Sequence, residues 1–190
     1  RASSASSSCC SASDACIAAS ASAHASAAAL GEALDVVRRA TRAPLVEVVN
    51  THAHHDHAEL ARRLSAVTGA PVRAAHPRLT DQPLQDDDEI AVGALTVRVL
   101  YTPGHTGDSV CFLLPAEGSV LTGDTVLGGG SPIVKPGRLG QFFDSLDRLS
   151  EVLAAPGSVI LPGHGPTVPD AAAMVDLPDP DGPMIAVKVP

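Results

Sequence analysis

Aromatic side chains are almost absent from this chain: three Phe, one Tyr and no Trp among 190 residues. The core must therefore be assembled from Val, Leu, Ile and Ala, which bury less area per side chain than a ring does. Long apolar runs are also missing. None approaches 18 residues, so no segment qualifies as a membrane-spanning helix. There is no stripe of Lys and Arg, and the formal charge is −8. That balance argues against general nucleic-acid binding through the surface, while leaving room for a phosphodiester held at a metal. Cysteines are few and poorly placed. Cys9, Cys10 and Cys16 lie in an Ala/Ser tract without zinc-ribbon spacing. The vicinal pair would bond only with strain. Cys111, within Ser109-Val110-Cys111-Phe112-Leu113-Leu114, reads as a small buried hydrophobe on a strand. No secreted disulfide framework is present, and a cytoplasmic location is expected.

The two ends differ from the middle. Of residues 2–29, 22 are Ala or Ser, and Ile17 is the one larger aliphatic. A signal peptide needs a stronger apolar stretch, so this segment is read as disordered low-complexity chain. Residues 176–190 hold four prolines and read as a tail. Residues 30–175 then form one domain, a size that can bury a core. The expectation for both ends is truncation or a reading-frame error in a GC-rich gene.

What the chain does have is histidine in one place. Thr51-His52-Ala53-His54-His55-Asp56-His57 follows the apolar run Leu45-Val46-Glu47-Val48-Val49. Neutral imidazoles beside a carboxylate suit a transition metal, zinc above others. His52 and His54 are two apart, so an extended backbone aims both to one side. Asp56 and His57 follow in what reads as a turn and can face a second position. The same grammar recurs downstream. Val97-Arg98-Val99-Leu100-Tyr101 leads to Pro103-Gly104-His105, Ser119-Val120-Leu121-Thr122 to Gly123-Asp124, and Ser158-Val159-Ile160-Leu161 to Pro162-Gly163-His164. Each is a β-prone segment, a Gly turn and one metal-type side chain. Strands that all end this way imply loops converging at one edge of a sheet. His55 is read as solvent-facing or supporting, His76 as part of a surface turn, and His24 as incidental.

The remainder reads as α/β. Helices are expected over 30–41, over 58–68 with Gly69 as the stop, and over 140–153. The stripe Phe142, Phe143, Leu146, Leu149, Val152 on the last of these is assigned to core packing. A short strand is expected over 71–75, and a hairpin around Gly93-Ala94. Asp86-Asp87-Asp88-Glu89 reads as a solvated turn, since it lacks calcium-loop spacing. The Gly/Pro-rich stretch 127–138 has the content of a loop lining a site mouth. Its Lys135 and Arg138 are candidate substrate contacts, weighed against two ordinary surface cations.

The order His-x-His-x-Asp-His, Gly-His, Gly-Asp, Gly-His resembles the metallo-β-lactamase-fold hydrolase superfamily. Thr102-Pro103-Gly104-His105-Thr106-Gly107-Asp108, Thr122-Gly123-Asp124-Thr125-Val126-Leu127-Gly128 and Leu161-Pro162-Gly163-His164-Gly165-Pro166 are similar to its β-lactamase-like protein 2 branch, with glyoxalase II next. The resemblance runs from about Leu45 to about Val175. It implies an αββα sandwich, here lacking part of its N-terminal half-sheet, for no strands are legible before Leu45. It implies two divalent metal ions, zinc by preference. His52, His54 and His105 would hold one, Asp56, His57 and His164 the other, and Asp124 would bridge. Asp56 and Asp124 are the candidate catalytic carboxylates. A water ionised at two metals then serves as the nucleophile.

Three functions follow. The first is a dinuclear hydrolase of the β-lactamase-like protein 2 type, for which the resemblance implies cleavage of single-stranded RNA. The second is a glyoxalase II-like thioesterase; 26 residues after His164 are too few for that family's helical glutathione-binding domain. The third is a non-catalytic remnant that keeps the ligands. The expected partner is a small ester, thioester or phosphodiester, with no membrane and no obligate protein partner.

Overall fold

A computed structural model describes Asp35, residues 47–80 and residues 82–173. The low-complexity segment 1–29 and the tail 176–190 lie outside these residues. So does the helix expected over 30–41, save Asp35, which is helical.

Strand β1 (Val48–Asn50) is followed by helix α1 (His55–Thr68) and β2 (Val72–Ala74). Then come β3 (Glu89–Val92), β4 (Leu95–Tyr101), β5 (Val110–Leu114), β6 (Ser119–Gly123), helix α2 (Leu139–Leu153) and β7 (Val159–Pro162). β1 and β2 pair in parallel, Val48 opposite Val72. The other five form a sheet in sequential order, antiparallel from β3 to β6. β7 joins β6 in parallel. Parallel neighbours require a crossover, and α2 supplies it.

Alternation along the strands builds four layers. Val97, Val99, Val110, Phe112 and Leu121 point to one face and meet Val49 of β1 in a core between the two sheets. Leu100, Cys111, Leu113 and Val120 point to the other face and meet Leu149 and Leu153 of α2. Val48 packs against Leu60, Ala61 and Leu64 of α1. The layers therefore run α1, β1–β2, the five-stranded sheet, α2, as an αββα sandwich. Phe112 is 1% exposed, and burying such a ring contributes about 2–3 kcal/mol. The sheets also meet through backbone, where Val110 N–H donates to Thr51 O at 2.9 Å.

Several expectations change in detail. α1 begins at His55, not at Ala58, so Asp56 and His57 sit in its first turn rather than in a loop. The His54 carbonyl accepts from both His57 N and Ala58 N, which starts the helix ahead of its first apolar residue. Asp56 is favourably placed there against the helix dipole. On α2, Phe143 is 49% exposed. The inward position falls to Ser145, whose hydroxyl donates to Pro103 O at 2.8 Å. The acidic turn 86–89 is exposed but paired rather than merely solvated. Arg148 reaches both oxygens of Asp86 at 2.7 and 2.8 Å, Arg98 reaches Asp87 at 2.7 Å, and Arg73 reaches Asp88 at 3.2 Å. Asp86 also accepts from Tyr101 N at 2.8 Å. No helix among the described residues is long and apolar enough to cross a membrane.

Candidate metal centre

Every strand that ends in a metal-type side chain delivers it to one edge of the sandwich. His52 and His54 follow β1, Asp56 and His57 open α1, His105 lies between β4 and β5, Asp124 follows β6 and His164 follows β7. Their donor atoms form two groups. His52, His54, His105 and Asp124 make one; Asp56, His57 and His164 make the other. All seven residues named from the sequence are thus brought together.

The first group is built by backbone and hydroxyl partners. His105 Nδ1 donates to Ile133 O at 2.8 Å, which fixes its tautomer and leaves Nε2 with a lone pair. Thr51 Oγ1 lies 3.2 Å from His52 Nδ1, turning His52 Nε2 inward. His54 Nδ1 is then 3.0 Å from both His52 Nε2 and His105 Nε2. Three ring nitrogens converge, and His54 has one proton at most to share between two neighbours. Protein hydrogen bonds cannot satisfy all three; a divalent cation can. Burial, with the field of His57 adding, pushes the His52 imidazole down to about 3. Burial and then His105 lower His54 as well. Neutral imidazoles are the form that ligates metal.

The second group shares the same character. His57 Nε2 is 3.4 Å from His164 Nε2, and His164 Nε2 is 3.3 Å from Asp56 Oδ2. Asp124 spans the two groups: its Oδ2 lies 3.6 Å from His105 Nε2 and 3.4 Å from His164 Nε2. Its Oδ1 is buried with no hydrogen bond, 3.3 Å from His57 Nε2. Burial opposes charge on Asp124, but the neighbouring His57, with His52 and His164, prevails and holds its carboxyl below the usual range. A charged oxygen buried without a donor is costly, and a bridging cation removes that cost. The donor set therefore fits two divalent ions.

Glycine makes the close approach possible. Gly123 has φ 51°, and a Cβ there would lie 2.7 Å from Thr51. A Cβ on Gly163 would lie 2.7 Å from Asp124 Oδ1 and 2.8 Å from His57 Cε1. Behind the ligands, Thr102 Oγ1 and Thr125 Oγ1 are 3.2 Å apart and fully buried, tying the start of the His105 loop to the residue after Asp124.

The remaining sequence candidates fall outside the ligand set. His55 is exposed and pairs with Glu59 one helical turn on. His76 accepts from Arg78 N in a surface turn. Lys135 is exposed. Arg138 lies across the His105 loop, its Nη1 2.8 Å from where a Cβ on Gly107 would stand. Ile133 is the contact that sequence reading missed. It acts through its carbonyl, which leaves no trace in residue type; the loop around it was legible only by its Gly and Pro.

A family model for the metallo-β-lactamase superfamily matches residues 73–164. An Aspergillus fumigatus protein named atrochrysone carboxyl ACP thioesterase is 36% identical over 126 residues, 64% of this chain and 38% of that protein. The chain spans about two fifths of the length of the curated relatives it matches. Among solved structures, ETHE1 from Myxococcus xanthus superposes with a TM-score of 0.63 at 31% identity, covering 74% of this chain and 64% of that one. TTHA1623, solved in a di-iron-bound form, gives a TM-score of 0.61 at 26% identity, covering 75% of this chain and 81% of that one.

Proposed function

The chain belongs to the metallo-β-lactamase superfamily, and from that premise we propose that it hydrolyses thioesters with two divalent metal ions. The observation that carries the hydrolase reading is the convergence of seven donor residues into two groups that share Asp124. The thioester class is supported by the named acyl-carrier thioesterase among its relatives.

In this reading His52, His54 and His105 hold one ion, Asp56, His57 and His164 the other, and Asp124 lies between. Two such ions would supply a nucleophilic water at neutral pH and polarise the scissile carbonyl. The chain's own residues do the rest. Ile133 O and Thr51 Oγ1 keep the His105 and His52 rings in one orientation. Asp124, with a side chain 12% exposed, is shielded and serves to hold geometry. Asp56, 45% exposed, reaches solvent beside His164 and is placed to take a proton from the attacking water. Water adds to the carbonyl carbon, the C–S bond breaks, and a carboxylate and a thiol leave. Lys135 and Arg138, which have no carboxylate partner among the described residues, suit an anionic part of the substrate.

Zinc is favoured by the imidazole-rich donor set; iron is favoured by the di-iron form of TTHA1623. Cleavage of single-stranded RNA is a second reading, supported by the β-lactamase-like protein 2 resemblance of the motifs. One experiment separates these. The purified protein is assayed for metal content, then offered acyl thioesters and single-stranded RNA before chelation, after chelation and after reloading with zinc or iron. About two ions per chain are expected, with thioester turnover lost on chelation and restored by one of the metals. RNA cleavage without thioester turnover would replace the first reading by the second. Absence of metal binding would reduce the chain to a remnant.

A further inference from the structure

Helix α2 lies along the chain that leads into His105 and touches it at successive points. Phe142 packs on Gly104, where a Cβ would stand 2.6 Å from Phe142 Cβ. Ser145 is buried, and its hydroxyl donates to Pro103 O at 2.8 Å. Arg148 Nη1 donates to Tyr101 O at 3.3 Å. As the helix advances from 142 to 148, the contacts run back along the loop from 104 to 101. The two runs keep step. Six helical residues rise about 9 Å, and three residues of extended chain span about 10 Å.

Tyr101 is where β4 runs out of backbone partners on its β3 side. The ladder there ends at Val99, whose carbonyl accepts from Asp87 N at 2.9 Å and whose N–H donates to Asp88 O at 2.8 Å. The N–H and C=O of one strand residue point to the same edge, so the next pair on that edge belongs to Tyr101. Asp86 Oδ1 accepts the Tyr101 N–H at 2.8 Å, and Arg148 takes the Tyr101 carbonyl. The two side chains also hold each other, at 2.7 and 2.8 Å. An ion pair thus stands where a strand neighbour would. Burial opposes charge on Asp86, yet the Tyr101 N–H and Arg148 hold its carboxyl below the usual range.

We infer that Ser145 and the Arg148–Asp86 pair are positioning residues for His105: they grip the backbone of 101–104 and so set where the His105 ring stands. The consequence for metal rests on the two-ion reading above. Ile133 O fixes the Nδ1 end of the ring, but the ring is only as fixed as the backbone that carries it. None of the three belongs to either donor group, so their influence passes through the loop. A shift of about 1 Å at such a residue is of the scale that costs about 10²-fold in rate.

The test compares Ser145→Ala, Arg148→Met, Arg148→Lys and Arg98→Met. Arg98→Met is the control, for it removes an ion pair from the same acidic turn without removing a side-chain contact to 101–104. Nitrogen-15 NMR of the protein as purified reads the exchange of the His105 Nδ1 proton, which Ile133 O holds. Ser145→Ala and Arg148→Met should each speed that exchange by at least about tenfold, Arg148→Lys should restore most of the protection, and Arg98→Met should stay within about twofold. Chelator competition on the metal-loaded protein should show one of the two equivalents weakened by about 10- to 100-fold in Ser145→Ala and Arg148→Met, with the other within about threefold. A role in stability alone would lower Tm and weaken both equivalents alike. Unchanged proton exchange in either variant overturns the inference. So does equal weakening of both equivalents, or a loss in Arg98→Met as large as that in Arg148→Met. The reading of function fails separately: a parent protein that binds no metal defeats that reading, and the exchange rates then decide the inference by themselves.

Discussion

Gly163→Ala tests the packing of the candidate centre without touching a ligand. A methyl group at Gly163 would stand 2.7 Å from Asp124 Oδ1 and 2.8 Å from His57 Cε1, where ordinary contact begins at 3.4 Å. The carboxylate must retreat by about 0.7 Å, a displacement of the scale that costs up to about 10²-fold in rate when it falls on a reacting centre. Gly163 does not have a positive φ, so the backbone itself accepts Ala. The cost is steric, about 1–3 kcal/mol of overpacking, and it is concentrated on two residues from different ligand groups. The expected result is a kcat lowered by about 10- to 100-fold, with reduced metal occupancy and a modest fall in Tm. Plasma emission spectroscopy for metal, initial rates on a thioester and a thermal melt make the three measurements. A variant with two ions per chain and a rate within twofold of the parent would refute the argument, because the methyl would have found room the structure does not provide.

Asp124→Ala should abolish one metal equivalent and lower turnover by at least about 10²-fold, since it removes the oxygen that spans both groups. His55→Ala should stay within about twofold, because His55 faces solvent and pairs with Glu59 on its own helix; similar losses in both would mean the ligand assignment is wrong. A third expectation concerns alkaline stability. Burial pushes the Cys111 thiol up to about 11 from 9.0. Its folded pKa lies above the unfolded one, so stability is intact below pH 9 and declines as pH rises from 9 through 11, by at most about 2–3 kcal/mol. The urea midpoint should fall further between pH 8 and pH 10.5 in the parent than in Cys111→Ala, and parallel declines would contradict this.

Much of this arrangement was readable because strands and ligands obey local rules. The two-residue period of β4 and β5 sends Val99 and Phe112 to one core and Leu100 and Cys111 to the other, and Gly before each of His105, Asp124 and His164 signals a turn. The start of α1 was misplaced because His55-Asp56-His57 carries no apolar periodicity; the helix there is held by backbone bonds to His54. Phe143 reads as core in the sequence because hydrophobicity alone cannot separate a buried position from an exposed one on the rim of a helix. The acidic turn reads as solvated in the sequence because its partners Arg73, Arg98 and Arg148 are distant along the chain and arrive through tertiary packing. Ile133 O was invisible, as any backbone acceptor is.

The distribution of donors between the two sheets has a mechanical meaning. His52, His54, Asp56 and His57 ride on β1 and α1, whereas His105, Asp124 and His164 ride on the five-stranded sheet. Two ions at this position would cross-link the sheets, closing loops of 51 residues between His54 and His105 and 107 between His57 and His164. Loop-closure entropy grows only with the logarithm of length, about 0.6 kcal/mol per doubling, so the longer tie costs little more than the shorter. The ions would thus act as removable rivets between the two sheets. Stripping them should let the sheets separate before either sheet melts, seen as faster amide exchange at Val48–Asn50 and Val110 than along the β3–β4 hairpin. Uniform acceleration across all strands would instead describe one body that the ions merely stabilise.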